Sequence, residues 1–118
     1  MARLHLTKVA FGCRDVDALR TRVAARSQHG ELRVPTRMRP KRAPELIGGN
    51  LYWIVKHRIV GCNAILAFED REDGRIDIVC SAELASVAPL PKRAHQGWRY
   101  FETDAAAAGG ESGVGELP

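Results

Sequence analysis

The sequence predicts an α+β protein with one main helix, one short helix and about six mostly antiparallel strands. Three observations favour this class: one segment has apolar residues at helical spacing, several segments alternate with period two, and turn residues separate consecutive strands without crossover helices. Consecutive hairpins tend to cover or close their own edges. We therefore expect a curled sheet or a small, partly open barrel capped by the main helix.

The main helix is predicted to follow a first strand, LHLTKVAF. Val16, Leu19 and Val23 fall on one narrow apolar face of the helix, and Asp15 or Asp17 can cap its start. Gly30 supplies the stop, because glycine readily takes the left-handed conformation that ends many helices.

The second strand, ELRVPTRMR, carries a regular alternation of apolar and basic residues. Pro35 has no amide hydrogen for a central ladder, which places this strand at a sheet edge or at a bulge. Period two would put Leu32, Val34, Thr36 and Met38 on one face and Arg33, Pro35, Arg37 and Arg39 on the other.

The middle of the chain predicts a short helix and two hairpins. The short helix lies within PKRAPELIGG, with Pro44 in its first turn, and strands follow over residues 51–56 and 59–69. Asp73-Gly74 signals a type I′ turn before the next strand. On that strand, Asp77 is expected to point outward, and the inward side chains are Ile76, Ile78 and Cys80.

The C-terminal part predicts a loop, one last strand and a tail. Pro89 and Pro91 make residues 81–96 mostly loop, and GWRYFE is the final strand. Residues 1–103 would form one domain, while the small, Gly-rich and acidic residues 104–118 would form a disordered tail.

Charge is segregated along the chain. The net charge is +4, yet residues 20–58 hold ten Lys or Arg against two acids, whereas residues 69–83 hold six acids against two Arg. A segregated surface attracts an anionic partner more strongly than a mixed surface does.

The residues also indicate which chemistries are absent. Three widely spaced cysteines predict neither a disulfide framework nor a zinc site, and the four histidines share no metal-like spacing. There is no glycine-rich phosphate loop, nucleophile elbow or local carboxylate pair, so no catalytic residue, metal or cofactor is predicted. Without a signal peptide or an apolar run of about 18 residues, the protein is expected to be cytosolic, with no membrane partner.

The basic segment before the aromatic strand is the leading candidate site. Its cationic groups suit phosphate contacts, and nearby aromatic rings could stack a base. We predict that Trp53 lies in the core and Tyr52 at the surface. Alternatively, the arginines form a solvated face or pair with the acids of residues 69–73 in the same molecule. The candidate nucleic-acid or anion-binding residues are Arg33, Arg37, Arg39, Lys41, Arg42, Tyr52, Lys56, Trp98 and Arg99.

The chain resembles a known family in two segments, TRMRPKRAPELIGGNLYWIVK and QGWRYF. The family is a bacterial one of uncharacterised conserved proteins, number fourteen eighty-nine of the domain-of-unknown-function series, and the resemblance runs from Leu4 to Phe101. It implies no activity. The chain differs from the family pattern at His57, at Cys62-Asn63 and at Ala94-His95. A curled sheet with a basic segment is also similar, in architecture alone, to PUA-like RNA-binding domains.

Three functions follow from these observations. The first is a non-catalytic module that binds RNA or DNA through the basic segment. The second is a small enzyme or a binder of an anionic small molecule, with residues 37–42 and 96–99 converging on a pocket. The third is a protein-interaction subunit, such as a homodimer formed through the edge strand that contains Pro35.

Overall fold

The computed structural model describes residues 2–104 and contains two helices and seven strands in one mixed, unclosed sheet. The α+β class is confirmed, with one strand more than expected. Residues 105–118, which make up nearly all of the predicted tail, lie outside the described residues. In chain order the elements are β1 (Ala2–Val9), α1 (Val16–Arg26), β2 (Glu31–Thr36), α2 (Ala43–Leu46), β3 (Asn50–Val55), β4 (Arg58–Asp70), β5 (Ile76–Ser81), β6 (Ala85–Pro91) and β7 (Trp98–Asp104).

The sheet runs in the order β2-β5-β4-β3-β1-β7, and β6 pairs with the first half of β4. The pairings are antiparallel except that between β1 and β3, which are parallel and joined through α1, β2 and α2. On the edge of β4 opposite β3, residues 58–62 pair with β6 and residues 65–70 pair with β5. The partner changes between Cys62 and Ile65, and a register shift follows within the β5 pairing, between Ile65 and Ala67.

β6 is the strand that the sequence pattern missed. The expectation that residues 81–96 form mostly loop is wrong, since Ala85–Pro91 pairs with β4. The two prolines are tolerated for positional reasons: Pro89 lies within the register shift between Ser86 and Leu90, and Pro91 is the last residue of the strand. The positions of the two prolines are therefore compatible with strand pairing at this edge.

β2 is an edge strand, as Pro35 predicts, because within residues 2–104 it pairs only with β5. Its alternation is confirmed by Leu32 and Val34, which are both buried. The strand ends at Thr36, earlier than predicted, and Met38 beyond it is 68% exposed. The basic residues after Thr36 therefore belong to a loop and not to one strand face.

α1 covers one face of the sheet and has the predicted cap. The Asp15 carboxylate accepts a hydrogen bond from the Ala18 amide at 2.8 Å, and Leu19 and Val23 are buried. The helix ends four residues before Gly30, whose φ of +77° serves the turn into β2. Gly30 is thus a turn residue and not the helix stop.

β3 is buried on both faces and separates two core clusters. Leu51 and Trp53 face the larger cluster, and Tyr52 and Ile54 face the smaller one, which includes Phe101. Tyr52 is only 3% exposed, so its predicted surface position is wrong. Period two is correct for β3, but β6 and β7 cover its second face. The core position of Trp53 is confirmed.

The β4–β5 hairpin is confirmed, but its turn is not type I′. Among its turn residues only Gly74 has a positive φ, +86°, and the Arg71 amide donates to the Arg75 carbonyl at 2.8 Å, which closes a longer loop. A type I′ turn needs two consecutive residues with positive φ, and such a pair occurs instead between β3 and β4, where Lys56 and His57 have φ values of 51° and 61°.

Gly48 and Gly49 let the chain pass close to β1. Gly48 has a φ of +92°, and a Cβ on Gly49 would lie 2.4 Å from the Leu4 carbonyl oxygen. The amide of the next residue, Asn50, donates to Nδ1 of His5 at 2.9 Å. The glycine pair before β3 is therefore required by close backbone packing.

His5 is a neutral histidine inside the protein. Its side chain is almost fully buried, and its Nε2 lies 2.9 Å from the Thr103 hydroxyl. Because Nδ1 accepts from the Asn50 amide, the ring proton sits on Nε2. Burial, and then the charge of Arg3, lower the pKa of His5 from 6.5 to about 4.

This histidine predicts a loss of stability in mild acid. Between the unfolded pKa of 6.5 and the folded pKa of about 4, the unfolded chain binds a proton that the folded protein excludes. The contribution is complete above pH 6.5 and is lost as the pH falls toward 4. From about pH 7 to 4, the urea-unfolding free energy should fall about 3 kcal/mol further in the wild type than in His5→Gln. Equal pH slopes in the two proteins would contradict this account of His5.

Candidate functional site

The strand order ends at β2 on one side and β7 on the other, yet these ends lie close together. The Trp98 indole N–H donates to the Met38 carbonyl at 3.2 Å, and the Arg42 amide donates to the Tyr100 hydroxyl at 3.2 Å. Residues 37–42 are therefore held on β7 by side chains, and no strand pairing joins β2 to β1 or β7 in the described part of the chain. The gap between β2 and β1 is termed the seam.

Two adjoining cavities open at the seam, and Lys8 and Pro35 line both of them. The first, of about 360 Å³, lies beneath α1. The second, of about 630 Å³, lies between β1, the loop after β2 and the start of β7, and is termed the seam cleft. Among the described residues that line them there is no Asp or Glu. The basic lining residues are Lys8, Arg22, Arg26, Arg33, Arg37 and Arg75.

Lys8 occupies an unusual position at the seam. It is the register partner of Trp53 on β3 and of Trp98 on β7, so the three side chains project from the same face of the sheet. Lys8 is half-buried, and burial lowers its pKa. No carboxylate of residues 2–104 forms an ion pair with it.

Arg33 is exposed, as predicted, but it is paired within the molecule. Its Nη1 lies 2.7 Å from Glu69 Oε1 and 3.4 Å from Asp77 Oδ2. Hydrogen bonds to these two acids raise the pKa of the Arg33 guanidinium. Asp77, which was expected to point outward, is only 6% exposed because Arg33 and Arg71 cover its carboxylate.

Two further arginines of the predicted site also have acidic partners. Arg39 pairs with Asp70 at 2.9 Å, and Arg42 makes a two-pronged contact with Glu45 at 2.9 and 2.6 Å. The alternative of internal ion pairs therefore describes part of the basic segment. Such exposed pairs contribute little stability, so an external anion can compete for either arginine at low cost.

The other predicted cations have no ion pair with a described residue, but they do not converge. Arg37 lines the seam cleft, whereas Lys56 lines a separate cavity beside the β3–β4 turn. Lys41 lies on the loop near α2. Arg99 alternates with Trp98 along β7 and so points away from the seam.

Of the two aromatic residues proposed to stack a base, only Trp98 reaches the site. Trp98 is half-buried, lines the seam cleft and packs edge-on against Tyr100, with ring centroids 5.1 Å apart. Tyr52 lies in the smaller core cluster, out of reach of a ligand at the seam.

Several residues that line the seam were not predicted from the sequence. Arg22 and Arg26 are four residues apart on α1, and this spacing signals that they share a helix face. Lys8 continues the period-two positions of Leu4 and Leu6, where a lysine breaks an apolar pattern. Arg75 carried no local signal, because only the fold brings the β4–β5 turn to the seam.

Other kinds of site find little support in the described residues. No three His, Cys, Asp or Glu side chains within residues 2–104 are grouped so that they could hold a metal ion. Burial raises the pKa of Cys62 to about 11 and that of Cys80 to about 12, so both thiols are protonated at neutral pH and poorly nucleophilic. The helices of the described region are all too short or too polar to cross a bilayer.

The fold and the site define a small α+β protein whose open sheet carries a basic seam. The family model described as "Protein of unknown function (DUF1489)" matches residues 6–118, and the chain belongs to this family. The family resemblance of the basic and aromatic segments is thereby confirmed. No curated protein and no solved structure matches the chain, so the PUA-like similarity stays a prediction.

The attachment of the basic loop to β7 can be tested at one hydrogen bond. Tyr100→Phe removes the hydroxyl that accepts from the Arg42 amide but keeps the ring. Loss of a bond of about 1 kcal/mol should accelerate hydrogen exchange at the Arg42 amide about fivefold. The Gly49 amide, bonded to the Leu46 carbonyl at 2.8 Å, is the control and should exchange as before. Unchanged exchange at Arg42 would show that the hydroxyl does not hold the loop.

Proposed function

We propose that this protein is a non-catalytic nucleic-acid-binding module that holds single-stranded RNA at the basic seam. The observation that carries this proposal is the lining of two adjoining cavities by six cationic side chains, of which Arg33 alone forms an ion pair with described residues; none of the described lining residues is a carboxylate. Clefts lined by one sign of charge concentrate the electric field and raise the local concentration of an oppositely charged ligand. A polyanion bound in the seam cleft, with its charge also attracted by the basic groups of the adjoining cavity, would release counterions from several phosphates.

A single strand suits the seam better than a duplex does. The basic residues line concave cavities, which a flexible strand can enter, whereas a rigid duplex needs an open surface. Trp98 borders the seam cleft and offers an indole for contact with a base. Beside it, the Gln96 amide offers a donor and an acceptor for a base edge.

The basic residues fall into an order of importance under this proposal. Lys8, Arg37 and Arg75 line the seam cleft and form no ion pair with a described residue, and they should contact phosphate first. Arg39 and Arg42 are partly neutralised by their own acids and should contribute less. Side chains outside the seam should contribute least.

The size of the seam cleft favours a second candidate, an anionic small molecule. A volume of about 630 Å³ is within the range of ordinary ligand pockets. The predicted convergence of residues 37–42 with residues 96–99 occurs there through Arg37, Met38, Gln96 and Trp98. A phosphorylated or carboxylated compound would meet the same three cations as an RNA phosphate.

Salt dependence tests the leading proposal. Fluorescence anisotropy with a mixed-sequence single-stranded RNA should show affinity falling between about 50 and 200 mM salt, with a slope near −2 for the three cations of the seam cleft at about −0.7 each. The double variant Arg37→Gln/Arg75→Gln should make that slope shallower by about 1.4 and weaken binding about tenfold. No binding by the wild type at low salt would refute RNA binding.

The matched control is Lys56→Gln/Arg58→Gln, which removes the same charge at the β3–β4 turn, beside a different cavity. Its salt slope and affinity should stay close to the wild-type values. Equal losses in the two double variants would place binding elsewhere, since net charge alone would then account for the effect.

A further inference from the structure

We propose that the seam cleft contains a subsite for a phosphate monoester, with Lys8 at its centre. The group would be the terminal phosphate of an RNA strand, in which case the inference rests on the proposed function, or the phosphate of a free nucleotide. Both sources present the same chemistry to the cleft.

The surroundings of Lys8 favour the binding of an anion. Its ammonium group is partly withdrawn from water between β3 and β7, and no described carboxylate compensates its charge. Withdrawing a charge from water without a partner is unfavourable. By contrast, Arg33, Arg39 and Arg42 each form an ion pair with a carboxylate of the protein. A bound phosphate would supply the counter-charge that the chain provides for these arginines but not for Lys8.

The number of cations in the cleft favours a monoester over a diester. Lys8, Arg37 and Arg75 line the same cavity, and none of its described lining residues is acidic. An internal phosphodiester carries one negative charge, whereas a phosphate monoester carries close to two at neutral pH and has three terminal oxygens. Three cations that line one cleft suit the monoester better than the diester, because they offer more than one positive charge and each guanidinium can bind two of those oxygens.

The shape of the seam favours the end of a strand or a single nucleotide. Among the described residues, the seam continues beyond Lys8 and Pro35 into the smaller cavity, which α1 covers with Leu19 and Val23. A continuous strand would have to pass beneath the helix, whereas a chain end can stop at Lys8. The remaining volume, bordered by Trp98 and Gln96, is large enough for a base and a sugar.

The experiment compares short single-stranded RNAs of one sequence that carry a 5′-phosphate, a 3′-phosphate or hydroxyl groups at both ends. At about 150 mM salt the wild type should bind one phosphorylated form about tenfold more tightly than the hydroxyl form. Lys8→Met, which keeps a long stem and removes the charge, should abolish this preference. Lys56→Met should retain it. Arg75→Gln, at an exposed turn, provides a second variant if Lys8→Met fails to fold.

A nucleoside monophosphate and its parent nucleoside, used alone as ligands, separate the two sources of phosphate. Binding of the monophosphate but not of the nucleoside, lost in Lys8→Met or Arg75→Gln, supports the subsite even if no RNA binds, and only the RNA proposal then fails. Equal affinity for all three RNAs, together with no preference for the monophosphate, overturns the subsite and leaves RNA binding standing. A preference that persists in both variants also overturns it.

Discussion

The free edge of β2 is the constraint on which the arrangement of the molecule's basic groups depends. Within residues 2–104, β2 pairs with β5 alone, and Pro35 lacks the amide hydrogen for a further ladder, so the sheet ends there instead of closing onto β7 at the other end of the strand order. The loop after β2 is joined to β7 through the Trp98 indole and the Tyr100 hydroxyl. A ladder across this gap would fill the space that the two cavities occupy. The seam is therefore a consequence of a sheet that curls without closing.

The arginines of this protein are of two kinds, and only the fold distinguishes them. Those on the outer face of β2 and on the loop toward α2 meet acids carried by β4, β5 or α2. Lys8, Arg37 and Arg75 line one cleft at the seam and form no ion pair with a described residue. The acids and bases that are segregated along the chain are therefore mixed on the outer face of β2 and the loop toward α2, but they remain segregated at the seam. An anion is attracted most strongly to the seam, because none of the described residues that line its cavities is a carboxylate.

Local sequence patterns correctly predicted the structural features that depend only on residues close together in the chain. The Asp15 cap, the edge position of Pro35 and the alternation of Leu32 and Val34 were all readable, because each follows from local geometry. These patterns gave wrong predictions for side chains that are buried by residues from a distant segment of the chain. Tyr52 is buried by β6 and β7, and Asp77 is covered by arginines from β2 and the β4–β5 turn. For the site, the sequence identified Arg37 and Trp98, whereas Lys8 and Arg75 join them only through the curl of the sheet.

The most direct test of the basic seam is an NMR titration of the ¹⁵N-labelled protein with a short single-stranded RNA. Amide shifts should concentrate at Lys8, Arg37, Arg75 and residues 96–98, with smaller changes at Arg22 and Arg26 on α1. The β3–β4 turn, with Lys56 and Arg58, should remain unshifted. Shifts confined to that turn, or spread evenly over all exposed arginines, would contradict the assignment of binding to the seam.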